Sequence, residues 1–497
     1  MAISNNQTTM LGDIARLLGG AGLTQAIAIG SMPILSRMFA PEAFGLAAFF
    51  IAVVTICASV VCLRYEFAIV LPEKESDAVN IACLSGVCAV VVSLILFGLV
   101  LAFGPLLEED ARLRKVAPFL VWIPVVTLLI GLIQIFNKWN ARLNRFTRQS
   151  VTMVGQRLTS ALGSIAAGVA GFTTGGALIL MQITSSGVGA LLSASLAAPS
   201  LCAGIGRRVT WRRMWSLAVQ YRKLPIFNSW SGLLNTASVN LPPLMLAILF
   251  SPSIAGLYAL GYRVVARPSQ VVGGAVNQVF FRRAVDSKRD GTLGVLADKT
   301  FYYLTLLVGF PFLFLCITGP ALFEIVFGGQ WREAGFYVQI LSPWLFCVFL
   351  GTPLSNLNII LEVQAIGLLV NALLLLTRAG SLMVGAWLGD PVVALILFSG
   401  SGVLVWGYYI KFLMKKSGVP AGRLLKRISI GILLALASLT PLAGCSIGGW
   451  LNAYTFLPLL VLCGASYVGL VCRISPELGE KVRDVIQKIR RKEPCSS

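Results

Sequence analysis

Apolar runs of about 20 residues recur from one end of this chain to the other, and that recurrence limits its fold more than any other feature. Each run is long enough to cross a hydrocarbon layer of about 30 Å as a helix, and only short polar breaks separate one run from the next. Of the 497 residues, 57% are hydrophobic and 12% charged, more apolar surface than a water-soluble chain of this length could bury. An all-α polytopic membrane protein is therefore expected, with nothing left over for a soluble catalytic domain. Gly/Pro punctuation and charge clusters divide the chain into about fourteen transmembrane helices.

The formal net charge of +20 has a membrane explanation and does not call for nucleic acid. Lys and Arg collect in short loops on the cytoplasmic side and set orientation. With the N-terminus placed inside, the large basic clusters fall on one side: Lys138/Arg142/Arg145/Arg148, Arg207 to Lys223, Arg282 to Arg289, and Lys411 to Arg427. Both termini are thus expected in the cytoplasm. The start, MAISNNQTTMLGDIARLL, lacks a basic leader and a small-residue cleavage site, so the first helix is expected to serve as an uncleaved anchor. Eleven cysteines fall mostly in apolar runs and form no C-x-x-C pair, which makes them small buried hydrophobes. The chain has no histidine, which removes His-containing zinc sites and a His general base. No cofactor is called for, and no G-x-x-x-x-G-K-[ST] is present to bind ATP.

An internal echo suggests the organisation. FAPEAFGL, Phe39 to Leu46, returns as FSPSIAGL, Phe250 to Leu257, each linking one apolar span to the next. A Pro opening a helix has a physical reason, since its missing N–H would have no partner there. The repeat unit is then about six helices, an even number, so both copies cross the bilayer in the same sense. This predicts two six-helix lobes related by a pseudo-twofold axis along the membrane normal, with two extra C-terminal helices. The boundaries are 1–203 for the N-terminal lobe, 204–223 for a basic linker, 224–415 for the C-terminal lobe, 416–473 for the added helix pair and 474–497 for a basic cytoplasmic tail. The linker mixes Trp211, Trp215 and Tyr221 with arginines, as an interfacial helix would.

Charges inside spans are the strongest functional signal. Arg263 and Arg267 lie one helical turn apart in LGYRVVARPSQVVGGAVNQVFF, which contains no acid. At 1.5 Å per residue they sit about 14 and 20 Å from the outer start of their span, and Arg378 about 10 Å from the outer face. A charge at mid-bilayer costs at least about 2.5 kcal/mol by insertion scales, so each should face a wet cavity or a partner. An anion brought from outside fits, because guanidinium pairs bidentately with phosphate. Hydrogen bonds to helix carbonyls or to neighbouring helices are the structural alternative. Arg157, two turns into its span, is a further candidate. Asn228, Ser231, Asn235 and Ser238 line one helical face that could meet sugar hydroxyls or serve as interhelical glue.

LRYEFAIVLPEKESDA (63–78), SPSIAGLYALGYRVVARPSQVVGGAVNQVFFRRA (251–284), FGGQWREAGFYVQILSPW (327–344) and GTPLSNLNIILEVQ (351–364) resemble the polysaccharide or oligosaccharide flippases, the Wzx-type proteins of the MOP transporter superfamily. The resemblance implies a transporter, not an enzyme, that moves a polyprenyl-pyrophosphate-linked oligosaccharide from the cytoplasmic to the periplasmic leaflet of a bacterial inner membrane by alternating access. It implies Arg263, Arg267 and Arg378 as pyrophosphate contacts, and Arg64 and Glu66 as a gate or ion pair; Arg157, Asn228 and Asn235 join them as candidate substrate-binding residues from their places within spans alone. Its partners would be membrane lipids, polysaccharide polymerases and glycosyltransferases, with proton or sodium coupling open. A MATE-like drug or cation exporter and a lipid II flippase are the nearest alternatives. A glycan polymerase or ligase is disfavoured by the short outside loops.

Overall fold

The computed structural model describes residues 2–109, 114–447, 453–476 and 480; most of the expected cytoplasmic tail lies outside them. Among the described residues there are helices and turns and no strands. The first seven helices are α1 (Ala2–Met38), α2 (Pro41–Ala58), α3 (Glu75–Glu109), the single turn α4 (Ala117–Leu120), α5 (Trp122–Arg142), α6 (Phe146–Val169) and α7 (Gly175–Arg208). They are followed by α8 (Trp211–Gln220), α9 (Ser229–Leu249), α10 (Pro252–Arg289), α11 (Leu293–Phe327) and α12 (Arg332–Leu354). Last come α13 (Leu357–Ile360), α14 (Gln364–Trp387), α15 (Pro391–Lys416), α16 (Ala421–Ile447) and α17 (Ala453–Ile474).

Eleven stretches among the described residues are helical, long and apolar enough to cross a membrane. The fourteen spans expected from sequence also include α1, α6 and α10. These three are as long as the others but are interrupted by polar and charged side chains, among them Gln25 and Ser31 of α1, Arg157 of α6 and Arg263 of α10.

The chain forms two compact units, one of Met1–Arg267 with Leu374–Ala394 and one of Pro268–Leu373 with Leu395–Ser497. In lipid there is little hydrophobic gain when one apolar helix meets another, so small residues and interhelical hydrogen bonds hold the packing. In the first unit, Gly20 of α1 faces Ser150 of α6, and Gly163 of α6 faces Met181 of α7. Below them Val61, Ile69, Ile81 and Trp139 form a buried cluster, with Trp139 Nε1 donating to Ser200 Oγ at 3.0 Å. In the second unit, Gly319 of α11 and Gly335 of α12 each approach the other's carbonyl, and Phe314, Leu439, Leu442 and Phe456 pack α11 against α16 and α17.

The repeated motif meets itself in the first unit. Pro41 opens α2 and Pro252 opens α10, as a Pro at the first helical position should. Gly45 lies against the carbonyl of Pro252, and Gly256 lies against the carbonyl of Pro41. The two F-x-P-x-x-x-G-L copies therefore make one reciprocal contact in which each glycine admits the other copy's backbone.

After α2 the chain turns back through Leu63 and Arg64, which hold left-handed φ values of 48° and 63°. Two successive non-glycine residues there cost about 1–2 kcal/mol each. The turn is fastened by Tyr65 Oη, which donates to the carbonyl of Ala218, and by Arg142 Nη1, which donates to that of Ile69 at 3.0 Å. The basic stretch 207–223 contains α8, started by the Thr210 side chain accepting from the Arg213 N–H. Met214 and Leu217 are buried while Trp211 and Trp215 are exposed, and Arg213 grips Asp77 through two bonds of 2.8 and 2.7 Å.

Candidate substrate-binding cavity

The three polar long helices converge. A cavity of about 390 Å³ inside the first unit is lined by α1, α2, α6, α7 and α10. Residues at helical spacing explain why α6 turns one face to it: Met153, Gln156, Ser160 and Ser164 follow one another at three or four positions, with Arg157 beside Gln156. From α1 come Thr24 and Ser31, from α7 Gln182 and Ser185, and from α10 Arg263. Phe44, Ala47 and Ile51 of α2 form an apolar wall.

Three of the hydroxyl hydrogens on this surface are already committed. Thr24 Oγ1 donates to the carbonyl of Gly20 at 2.7 Å, Ser31 Oγ to that of Ala28 at 3.2 Å, and Ser185 Oγ to that of Gln156 at 2.8 Å. Among the described residues the side-chain amides of Gln156 and Gln182 have no hydrogen-bond partner. Among the described residues that line the cavity none is acidic, and Arg157 and Arg263 are its cationic side chains. Such a surface suits a ligand that is anionic at one point and rich in hydroxyls at others, since guanidinium donors favour phosphate and amides both donate and accept.

The other sequence candidates lie elsewhere. Arg378 is buried, and its Nη1 donates to both the carbonyl and the Oγ of Ser238, at 2.9 and 2.8 Å, beside the stacked rings of Tyr258 and Tyr262. Asn228 and Asn235 are exposed and do not line the cavity. Arg267 is helical, but its side chain is outside the described residues. Arg64 and Glu66 sit at the turn after α2, apart from the cavity. The Arg64 guanidinium lies 5.5 Å from the ring centre of Phe67 and packs against Gly232, and Lys138 Nζ lies 4.2 Å from the same ring centre. Glu66 is buried with Oε2 unpartnered, and burial raises its pKa above the usual carboxylate range, a shift only partly offset by its backbone hydrogen bond and by Arg64 and Lys138.

The cavity brings in residues that charge counting alone does not select, chiefly Gln156, Gln182, Ser160 and Ser164. The signal for the three on α6 is the spacing of polar residues along that helix, read together with its unusual polarity; Gln182 of α7 has no such signal.

The family model described as polysaccharide biosynthesis protein matches residues 34–335. The chain belongs to the polysaccharide biosynthesis protein family. No curated protein matches this family member. Among solved structures it is similar to one titled lipid II flippase MurJ, inward closed conformation, with TM-score 0.70 and 11% identity, over 93% of this chain and 99% of that one. It is also similar to the inward-facing conformation of a multidrug resistance MATE family transporter of the MOP superfamily, with TM-score 0.58 and 14% identity, over 79% of this chain and 96% of that one. At such identities the likeness is one of fold, and the fold is that of MOP transporters. Family and fold together support a multi-pass membrane flippase or transporter.

Proposed function

We propose that the chain is a flippase that carries a polyprenyl-pyrophosphate-linked oligosaccharide from the cytoplasmic to the periplasmic leaflet of a bacterial inner membrane. The observation that carries this reading is the cavity: Arg157 and Arg263, with the unengaged amides of Gln156 and Gln182, line a surface without an acid among membrane-spanning helices. A pyrophosphate and a chain of sugars cannot enter hydrocarbon unaided, because each desolvated polar group costs several kcal/mol. Arg157 and Arg263 replace water around the pyrophosphate, and Gln156 and Gln182 replace it around the first sugar. The volume of about 390 Å³ suits that headgroup and not a long glycan, which extends away from the cavity. The polyprenyl chain stays in lipid throughout, and the six-helix halves rock to exchange the open side. Glycosyltransferases supply such a substrate and a polymerase or ligase consumes it. A cation exporter reading is disfavoured, because a cavity for cations would be lined with acids.

The test is transfer of a labelled polyprenyl-pyrophosphate oligosaccharide between the leaflets of proteoliposomes. Losing a charge-assisted hydrogen bond costs about 1.5–3 kcal/mol, so Arg157→Gln and Arg263→Gln should each slow transfer about 10- to 100-fold. Wild-type rates in the folded double variant would overturn the assignment of these arginines. No transfer by wild type of the host's own lipid-linked glycan would overturn the flippase reading.

A further inference from the structure

A second pocket lies in the other unit, where α15 ends and α16 begins, and it differs in character from the first. It measures about 290 Å³, and its walls are apolar: Phe301 of α11, Phe346 and Leu350 of α12, and Leu424 and Ile428 of α16. One cation, the exposed Lys411 of α15, stands at its edge. Gly407, one turn earlier on the same face, leaves the space open, since a Cβ there would meet nothing within 4 Å.

Three observations say what this pocket takes. All four helices that wall it are long and apolar enough to cross a membrane, so its apolar walls belong to candidate membrane spans. From Pro391 to Pro476 the sequence has no acidic residue, yet Lys411, Lys415, Lys416, Arg423, Lys426 and Arg427 crowd this end of the two helices. Of these, Arg427 is matched within the protein: it pairs with Asp298 at 3.0 Å and lies 4.2 Å from the ring centre of Tyr302. Among the described residues the other five have no acidic partner. A basic rim over an apolar slot between membrane helices is the chemistry that holds an anionic lipid headgroup with its chain below.

We propose that this pocket binds an anionic membrane phospholipid, one acyl chain lying along Gly407 between α12, α15 and α16 and the phosphate pairing with Lys411. The site is independent of the transport cavity and of the substrate proposed for it. By the positive-inside rule it belongs to the cytoplasmic leaflet.

Native mass spectrometry of the full chain in detergent, with phosphatidylglycerol or phosphatidylcholine added, tests this. Wild type should retain phosphatidylglycerol preferentially. Lys411→Gln should weaken phosphatidylglycerol retention about five-fold, the effect of one lysine at a membrane surface, and weaken that of the zwitterionic phosphatidylcholine less. Gly407→Phe, which fills the slot, should abolish retention of both, with an unchanged melting temperature as the folding control; Gly407→Leu serves if the larger side chain prevents folding. Equal retention of the two lipids by wild type would overturn the proposal, as would lipid retention by a folded slot-filled variant. A loss for Lys416→Gln as large as for Lys411→Gln would overturn the assignment to Lys411. Displacement by inorganic phosphate alone would overturn the role of the acyl chain.

Discussion

The reciprocal contact between α2 and α10 makes a quantitative prediction. A Cβ added at Gly45 would lie 1.6 Å from the Pro252 oxygen, and one added at Gly256 would lie 1.8 Å from the Pro41 oxygen. A tolerable carbon-to-oxygen contact is about 3.3 Å, so either substitution must push the two helices apart by roughly 1.5 Å. The obstacle in both cases is backbone, so no side-chain rotation can relieve it. Overpacking of this kind costs about 1–3 kcal/mol, against a helix-propensity gain of up to about 1 kcal/mol for Ala over Gly. Gly98→Ala in α3 is the control, because its Cβ would meet nothing within 4 Å and only the propensity gain remains. Because separation forced by the first methyl also makes room for the second, Gly45→Ala with Gly256→Ala should cost less than the sum of the two. Unfolding of the purified protein in detergent, run as a double-mutant cycle, measures this. Gly45→Ala as stable as Gly98→Ala would refute the contact, and strict additivity would refute the shared separation.

Other outcomes follow from side chains already placed. Asp298→Asn strips Arg427 of its acid in a largely buried pair, with 9% and 29% side-chain exposure, and should cost about 3 kcal/mol in the same unfolding assay. Ser238→Ala removes one of the two acceptors of Arg378 Nη1 and should cost about 1 kcal/mol while leaving the transfer rate unchanged. Glu66 has a raised pKa when folded, so the unfolded chain ionises first as pH rises from the ordinary glutamate value of about 4.3. The stability tied to its neutral form is complete below that pH and is lost as pH climbs through the folded pKa. Wild type should therefore lose melting temperature relative to Glu66→Gln across that window, and parallel pH profiles would count against it.

Apolar spacing made the spans legible, since hydrophobicity over about 20 residues is read directly from the chain. The motif pair was legible for a related reason, because Pro41 and Pro252 punctuate helix starts whatever surrounds them. Helix rotation was not legible. Periodicity says that Asn228, just before α9, and Asn235 within it share a face, but not whether that face meets the cavity, which it does not. Arg378 and Arg263 look alike in sequence as intramembrane cations, and only the structure separates them: Arg378 bonds the carbonyl and hydroxyl of Ser238, while Arg263 lines the cavity. Gln156 sits beside Arg157, which stands out by its charge, and Gln182 stands alone in an apolar stretch of α7, with no polar stripe like that of Asn228 and Asn235.

The polarity of α1, α6 and α10 also bears on how the protein is made. Helices interrupted by arginines and amides enter lipid reluctantly when presented alone. During synthesis α1 emerges first, before the α6 helix it packs against exists, and α6 emerges before α7. α1 and α6 must therefore wait at the insertion site, or cross provisionally, until the later helix that packs against each has arrived. Biogenesis of this protein should then depend on helices entering the bilayer in groups, with pauses after α1 and α6, and not on one-by-one partitioning.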